Sequence, residues 1–227
     1  MTLFSRLVGE TVEDYRALAA VPQIRDGLAG RISRETYVAY LTEAYHHVRH
    51  TVPLMRAARA RLGDARARFR DALDDYIAEE TGHEAWVLED IRHCGGDPEA
   101  VRGGEPREAT RRMVAFAYDY IRDTNPMGFF GMVFVLEGTS ARLASEGASA
   151  LASSLGLPPD CFTYLSSHGA LDQDHLLFFQ RLMDEVDDPG DQSAIIEMAK
   201  AIFALFADVF RAIPHVGPDF GEAARVV

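Results

Sequence analysis

The chain has 227 residues, 48% of them hydrophobic and 26% charged, which suits one globular core and no extended disordered region. A formal net charge of −12 argues against non-specific binding to nucleic acid or to an anionic membrane. Two cysteines, Cys94 and Cys161, form neither a CxxC pair nor a disulfide framework, and the opening MTLFSRLVGETVEDY lacks a basic stretch leading into a long apolar one, so a cytoplasmic location is expected.

Helical periodicity runs through the chain, and turn signals cut it into seven expected helices at roughly 3–20, 34–61, 65–94, 106–124, 127–156, 160–186 and 191–213, with no strand. Val21-Pro22 closes the first, Gly63-Asp64 the second, and Gly95-Gly96-Asp97-Pro98 the third; Pro53 is expected to kink the second. Asn125-Pro126 separates the fourth from the fifth, whose opening MGFFGMVFVL is about half as long as a membrane span and ends in Glu137. The reading is one helical domain over 1–213, followed by a tail at 214–227 (PHVGPDFGEAARVV) with little periodicity, expected to be mobile.

Ionisable residues stand where these helices should be apolar. The second helix offers a half-polar stripe (Thr36, Tyr40, Glu43, His47, His50, Leu54) beside an apolar one (Leu41, Ala44, Tyr45, Val48), so Glu43 is the weakest candidate. In the third, Glu80 and His83 fall on the stripe of Leu73, Tyr76, Val87 and Ile91, as if on one continuous helix. In the fifth, Glu137 follows Phe130 and Phe134 at helical spacing. The sixth contains HGALDQDH, in which His168, Asp172 and His175 continue the stripe of Leu165, Phe179, Leu182 and Val186.

Buried charge is costly unless a partner or a metal answers it. Any one of these residues is explained by an ordinary hydrogen bond. Four carboxylates and three imidazoles from four helices instead suit iron or manganese, and four negative charges balance two divalent cations. Gly82, Gly138 and Gly169 adjoin ligand candidates, as expected if helices approach closely there.

The order carboxylate, E-x-x-H, Glu, H-x3-D-x2-H resembles the haem-oxygenase-like di-iron oxidases and oxygenases, relatives of the TenA thiaminases and PqqC enzymes, over residues 10–210. The resemblance implies an all-α, seven-helix haem-oxygenase-like bundle without haem. It implies two Fe(II) ions, the second loosely held, with O2 as co-substrate. Glu80, His83 and His168 would hold one iron, Glu43, Asp172 and His175 the other, with Glu137 between or beside them. The expected substrate is a small amino-acid-derived molecule or carboxylate, anchored by Arg49, Arg111, Arg122 or Arg142 in a pocket lined by Tyr40, Tyr76, Phe130, Phe134 and Tyr164. An external electron donor and a homodimer fit the same picture; nucleic acid and membrane do not.

Three rivals remain. A TenA-like thiaminase wants a cysteine near the position of Glu137, a PqqC-like oxidase works without metal, and a non-catalytic protein could store iron or serve as a scaffold.

Overall fold

Proline and glycine cut the helical periodicity more often than the apolar stripes suggest. The computed structural model describes residues 1–217, with the side chains of 168–174 excepted. Among the described residues there are eleven α-helices and no strand: α1 (Leu3–Ala19), α2 (Pro22–Leu28), α3 (Arg34–Val48), α4 (Thr51–Arg61), α5 (Ala67–Glu80), α6 (His83–His93), α7 (Pro98–Gly103), α8 (Glu108–Asp123), α9 (Phe129–Leu155), α10 (Thr163–Asp184) and α11 (Pro189–Ala212). None is long and apolar enough to cross a membrane.

The class matches the expectation, and the count of seven does not. Pro22 ends α1 and also opens α2, because a proline lacks only a donor that the first helical turn leaves unused. Asp97 likewise starts α7, accepting the backbone N–H groups of Glu99 and Ala100 at 3.0 and 3.1 Å.

The second expected helix is two, α3 and α4. Pro53 has no N–H to give the carbonyl four residues back, and its ring would press on that group, so the helix breaks at Arg49-His50 instead of bending at Pro53. The third is also two. Thr81-Gly82 interrupts it, with Gly82 at φ 99°, a left-handed conformation that glycine adopts without a Cβ clash.

Helix α9 is the hub, packed against α10, α11, α2 and α4. It meets α11 at Gly131, where a Cβ would run into the Ile195 carbonyl. Gly138 shows no such closeness, since a Cβ there would meet nothing within 4 Å, and Gly169 lies outside the described side chains. The larger apolar cluster includes Leu54, Leu73, Phe130, Phe179 and Ile195; a smaller one gathers Tyr37, Leu41, Ile91 and Phe162 around α3, α6 and the start of α10.

Two polar ties fix segments near the site. Asp90 of α6, fully buried, accepts the backbone N–H groups of Thr163 and Tyr164 at 3.1 and 2.8 Å and so caps α10. The described part of the tail is also held: Val216 donates its N–H to Thr36 Oγ1 at 3.0 Å and accepts the Ser33 N–H at 2.9 Å, and His215 Nε2 lies 3.0 Å from Asp26. Residues 214–217 therefore lie along the start of α3, where they satisfy polar groups of its cap, and are not the mobile segment expected. Residues 218–227 lie outside the described ones.

The Asp90 cap yields a test. Asp90→Ala leaves two buried N–H groups without an acceptor and is expected to cost about 2 kcal/mol, a drop of about 4–8 °C in Tm for a chain of this size. Burial pushes the Asp90 carboxyl from 3.8 up to about 6, so the native state keeps a proton that the unfolded chain has lost. Its contribution to stability is complete below 3.8 and is lost as the pH rises through about 6. Denaturant titrations across this range should show that fall in the native chain and a flatter profile in Asp90→Asn.

Candidate metal centre

Helix α5 ends on Glu80, α9 presents Glu137 near its middle, and α10 carries His175. One ligand atom from each lies within 4.8 Å of the others. Glu80 is 7% exposed, and Glu137 Oε2 and His175 Nδ1 are buried. Two carboxylates at this separation repel each other in a poorly solvated interior unless a cation or shared proton answers them. Oxygen and nitrogen donors of this kind suit iron or manganese, and two carboxylates neutralise one divalent ion.

Neighbouring side chains orient Glu80 and His175. His83, at the first position of α6, donates from Nδ1 to Glu80 Oε2 at 3.1 Å and is stacked on Trp86, ring centroids 4.0 Å apart and planes 23° from parallel. Glu80 and His83 therefore do not share a continuous helix face. The Gly82 turn ends one helix and starts another, and His83 meets Glu80 from the first position of α6. His175 Nε2 lies 3.0 Å from Glu79 Oε2, and Tyr76 meets the same imidazole edge to face at 5.9 Å. With Nε2 engaged by a carboxylate, Nδ1 is the nitrogen that suits a cation, an arrangement usual for histidine ligands.

The remaining candidates fall elsewhere. Glu43 is 3% exposed and accepts the Arg107 N–H at 3.2 Å and the Thr110 hydroxyl, with Arg107 Nε 3.6 Å away. It serves the N-terminus of α8 and is not in the three-residue group. His168 and Asp172 lie two turns and one turn before His175 on α10, and their side chains are outside the described residues.

Beside the carboxylates is a cavity of about 190 Å³ walled by α2, α3, α4, α9, α10 and α11, with Glu80 and Glu137 in its lining. Of the expected pocket residues, Tyr40 and Tyr164 line it. Phe130 and Phe134 do not: they face the other side of α9, packing edge-on against Phe69 and Phe4. Tyr76 belongs instead to a shallow hollow with Asp75, Glu79, His175 and Phe178.

Sequence reasoning missed Gln23, Leu28, Thr139, Phe206 and Phe210 as cavity residues, and named His47 only as a member of the half-polar stripe. His47 is 6% exposed and meets Phe206 edge to face at 5.7 Å; its place on the half-polar stripe of α3 was the available signal. Helix α2 gave none, because seven residues are too few to show a period.

The arginines proposed as anchors are engaged away from the cavity. Arg49 and Arg142 lie over the rings of Tyr45 and Tyr15, Arg111 pairs with Glu108, and Arg122 with Asp119 and Asp123. Cys94 and Cys161 are buried together, the Cys94 Sγ 4.0 Å from the Cys161 carbonyl oxygen, and burial pushes the Cys94 thiol well up. Neither lines the cavity. A thiol held protonated there is a poor nucleophile.

Residues 38–207 match the model of a family described as iron-containing redox enzyme. A domain of unknown function with a heme oxygenase-like fold, from Shewanella denitrificans, is 22% identical with a TM-score of 0.83, covering 93% of this chain and 91% of that one. A TenA homologue from Pseudomonas syringae is 11% identical (TM-score 0.74; 92% and 91% covered), and a heme oxygenase from Leptospira interrogans 17% identical (TM-score 0.71; 92% and 98% covered). These likenesses show a haem-oxygenase-like fold. Comparison with curated proteins gives no match.

Trp86, the one tryptophan, makes the centre observable without catalysis, since it stacks on the histidine that holds Glu80. Anaerobic titration with Fe(II) is expected to quench its emission to saturation. Glu80→Gln or His175→Ala should weaken that response at least about tenfold, whereas Glu43→Gln should lower Tm and leave the metal titration unchanged. An unaltered titration in both ligand variants would place the ion elsewhere.

Proposed function

The chain belongs to the family of iron-containing redox enzymes, and from that premise we propose that it is a non-haem iron oxidase or oxygenase, using O2 to oxidise a small organic molecule bound in the cavity. The observation that carries this reading is the meeting of Glu80, Glu137 and His175 within 4.8 Å, with both carboxylates on the cavity wall. Iron bound there supplies the electrons and open coordination positions that O2 chemistry needs.

The chain's own residues do the rest. Glu80 and Glu137 provide the compensating charge, His83 fixes the orientation of Glu80, and Glu79 that of His175. Apolar walls, among them Leu54, Met132, Val133 and Leu136, keep bulk water from the reacting groups. A second Fe(II) would draw on His168 and Asp172, which the sequence resemblance names as ligands and whose side chains lie outside the described residues.

A haem enzyme is less well supported, because haem iron takes an axial histidine, cysteine, methionine or tyrosine, whereas the cavity wall offers the carboxylates of Glu80 and Glu137. A thiaminase is less well supported because neither cysteine reaches the cavity.

Anaerobic addition of Fe(II) to the apoprotein, removal of excess metal and exposure to O2 test the reading. The expected result is about two irons per chain, as in helix-bundle carboxylate sites, and O2 consumption in proportion to the iron held. His175→Ala and Glu137→Gln should lose both. Failure of the native chain to take up iron, or haem bound in its place, would overturn the proposal.

A further inference from the structure

Part of the cavity wall comes from α2, the start of α3 and the end of α11, through Gln23, Ile24, Thr36, Phe210 and Ile213. Ile32 and Ile213 excepted, the lining residues belong to helices. Ile213, the first residue after α11, is 3% exposed, whereas His215 and Val216 are exposed. Residues 213–216 therefore have the cavity on one side and solvent on the other.

What holds this segment down is polar and sparse. The Gln23 amide donates to the carbonyls of Ile213 and Arg211 at 3.0 and 3.4 Å. Thr36 Oγ1 accepts the Val216 N–H at 3.0 Å and donates to the Val216 carbonyl at 3.3 Å, and the Ser33 N–H donates to that carbonyl at 2.9 Å. His215 Nε2 lies 3.0 Å from Asp26 Oδ2. Gln23 and Thr36 are themselves cavity residues, so the hydrogen bonds that close the wall here start from inside it.

Moving a helix of the wall breaks rows of backbone bonds and uncovers packed core. Lifting residues 213–216 exchanges a few part-exposed hydrogen bonds for bonds to water and uncovers one large buried side chain, that of Ile213. Local opening is drawn from such places, where few apolar contacts and partly solvated hydrogen bonds hold the chain.

We propose that residues 213–216 are the door of the cavity, latched by Gln23 and Thr36, and that small organic molecules enter and leave when the segment lifts away from α3. The door is independent of any ion at Glu80 and Glu137, and its test is read on the metal-free chain.

Ser140, half-buried on α9 in the cavity lining, is the place for a chemical reporter. In full-length Ser140→Cys the introduced thiol is labelled with methyl methanethiosulfonate, a small neutral reagent, and the rate is followed by peptide mass spectrometry. Cys94 and Cys161, buried outside the cavity, are internal references that respond to wider unfolding. Labelling of a covered group follows the population of the open form when opening and closing are fast. Adding Thr36→Val, which removes the bonds from Oγ1 to Val216, is expected to speed labelling of the introduced thiol at least about fivefold, the value of one neutral hydrogen bond, and to leave the reference thiols unchanged. Thr36→Cys with Val216→Cys, oxidised to a disulfide across the latch, is expected to slow it below the rate of the native latch.

Unchanged labelling in Thr36→Val, or undiminished labelling with the disulfide in place, means that molecules enter by another route and overturns the proposal. So does a rise in Thr36→Val that Cys94 and Cys161 share in equal proportion, because the whole chain has then loosened.

Discussion

Two carboxylates that share a dry interior within 4.8 Å of an imidazole need positive charge between them, and the surrounding helices are arranged around that need. Helix α5 stops as soon as Glu80 has entered the site. Gly82 then breaks the helix so that α6 can start with the histidine that grips Glu80. Helix α10 brings His175 from the opposite side, with Glu79 on its outer nitrogen. Remove the requirement for a cation, and the Gly82 turn, the His83 hydrogen bond and the Glu79 pair lose their common purpose.

Much of this was legible in the amino-acid order. Helices α1, α8 and α11 end within two residues of where periodicity and turn residues put them, because each has a clear apolar stripe and a strong stop. The breaks inside the second and third expected helices were hidden for a physical reason. Apolar spacing continues across Arg49-His50 and Thr81-Gly82 because both halves of each pair supply core residues, α4 and α5 to the larger cluster and α3 and α6 to the smaller one. Glu80, Glu137 and His175 stood out as ionisable residues on apolar stripes. Glu43 stood out in the same way, yet its charge is answered by Arg107 and Thr110, more than sixty residues along the chain. A buried carboxylate announces that it has a partner and does not announce which.

The cavity was harder to foresee. The opening of α9, from Phe129 to Leu136, is apolar all round, so its composition cannot separate the face that fills the core from the face that bounds empty space. Phe130 and Phe134 fall on the first face and Met132, Val133 and Leu136 on the second, although all five are equally hydrophobic choices. The arginines misled for a related reason. Arg111 and Arg122 have acidic partners within a turn on α8, and that local pairing keeps their charge on the surface.

Helix α10 is pinned at both ends: Asp90 holds its first residues, and Phe179, Leu182 and Met183 are sealed in the core near its last. The stretch between works as a ruler of fixed length. Adding or deleting one residue there would swing His175 by about 100° around the helix and away from the carboxylates, whereas a change of a full turn would keep the face and displace the ring by about 5 Å. Between Tyr164 and Phe179 the spacing of the chain is itself part of the candidate metal centre.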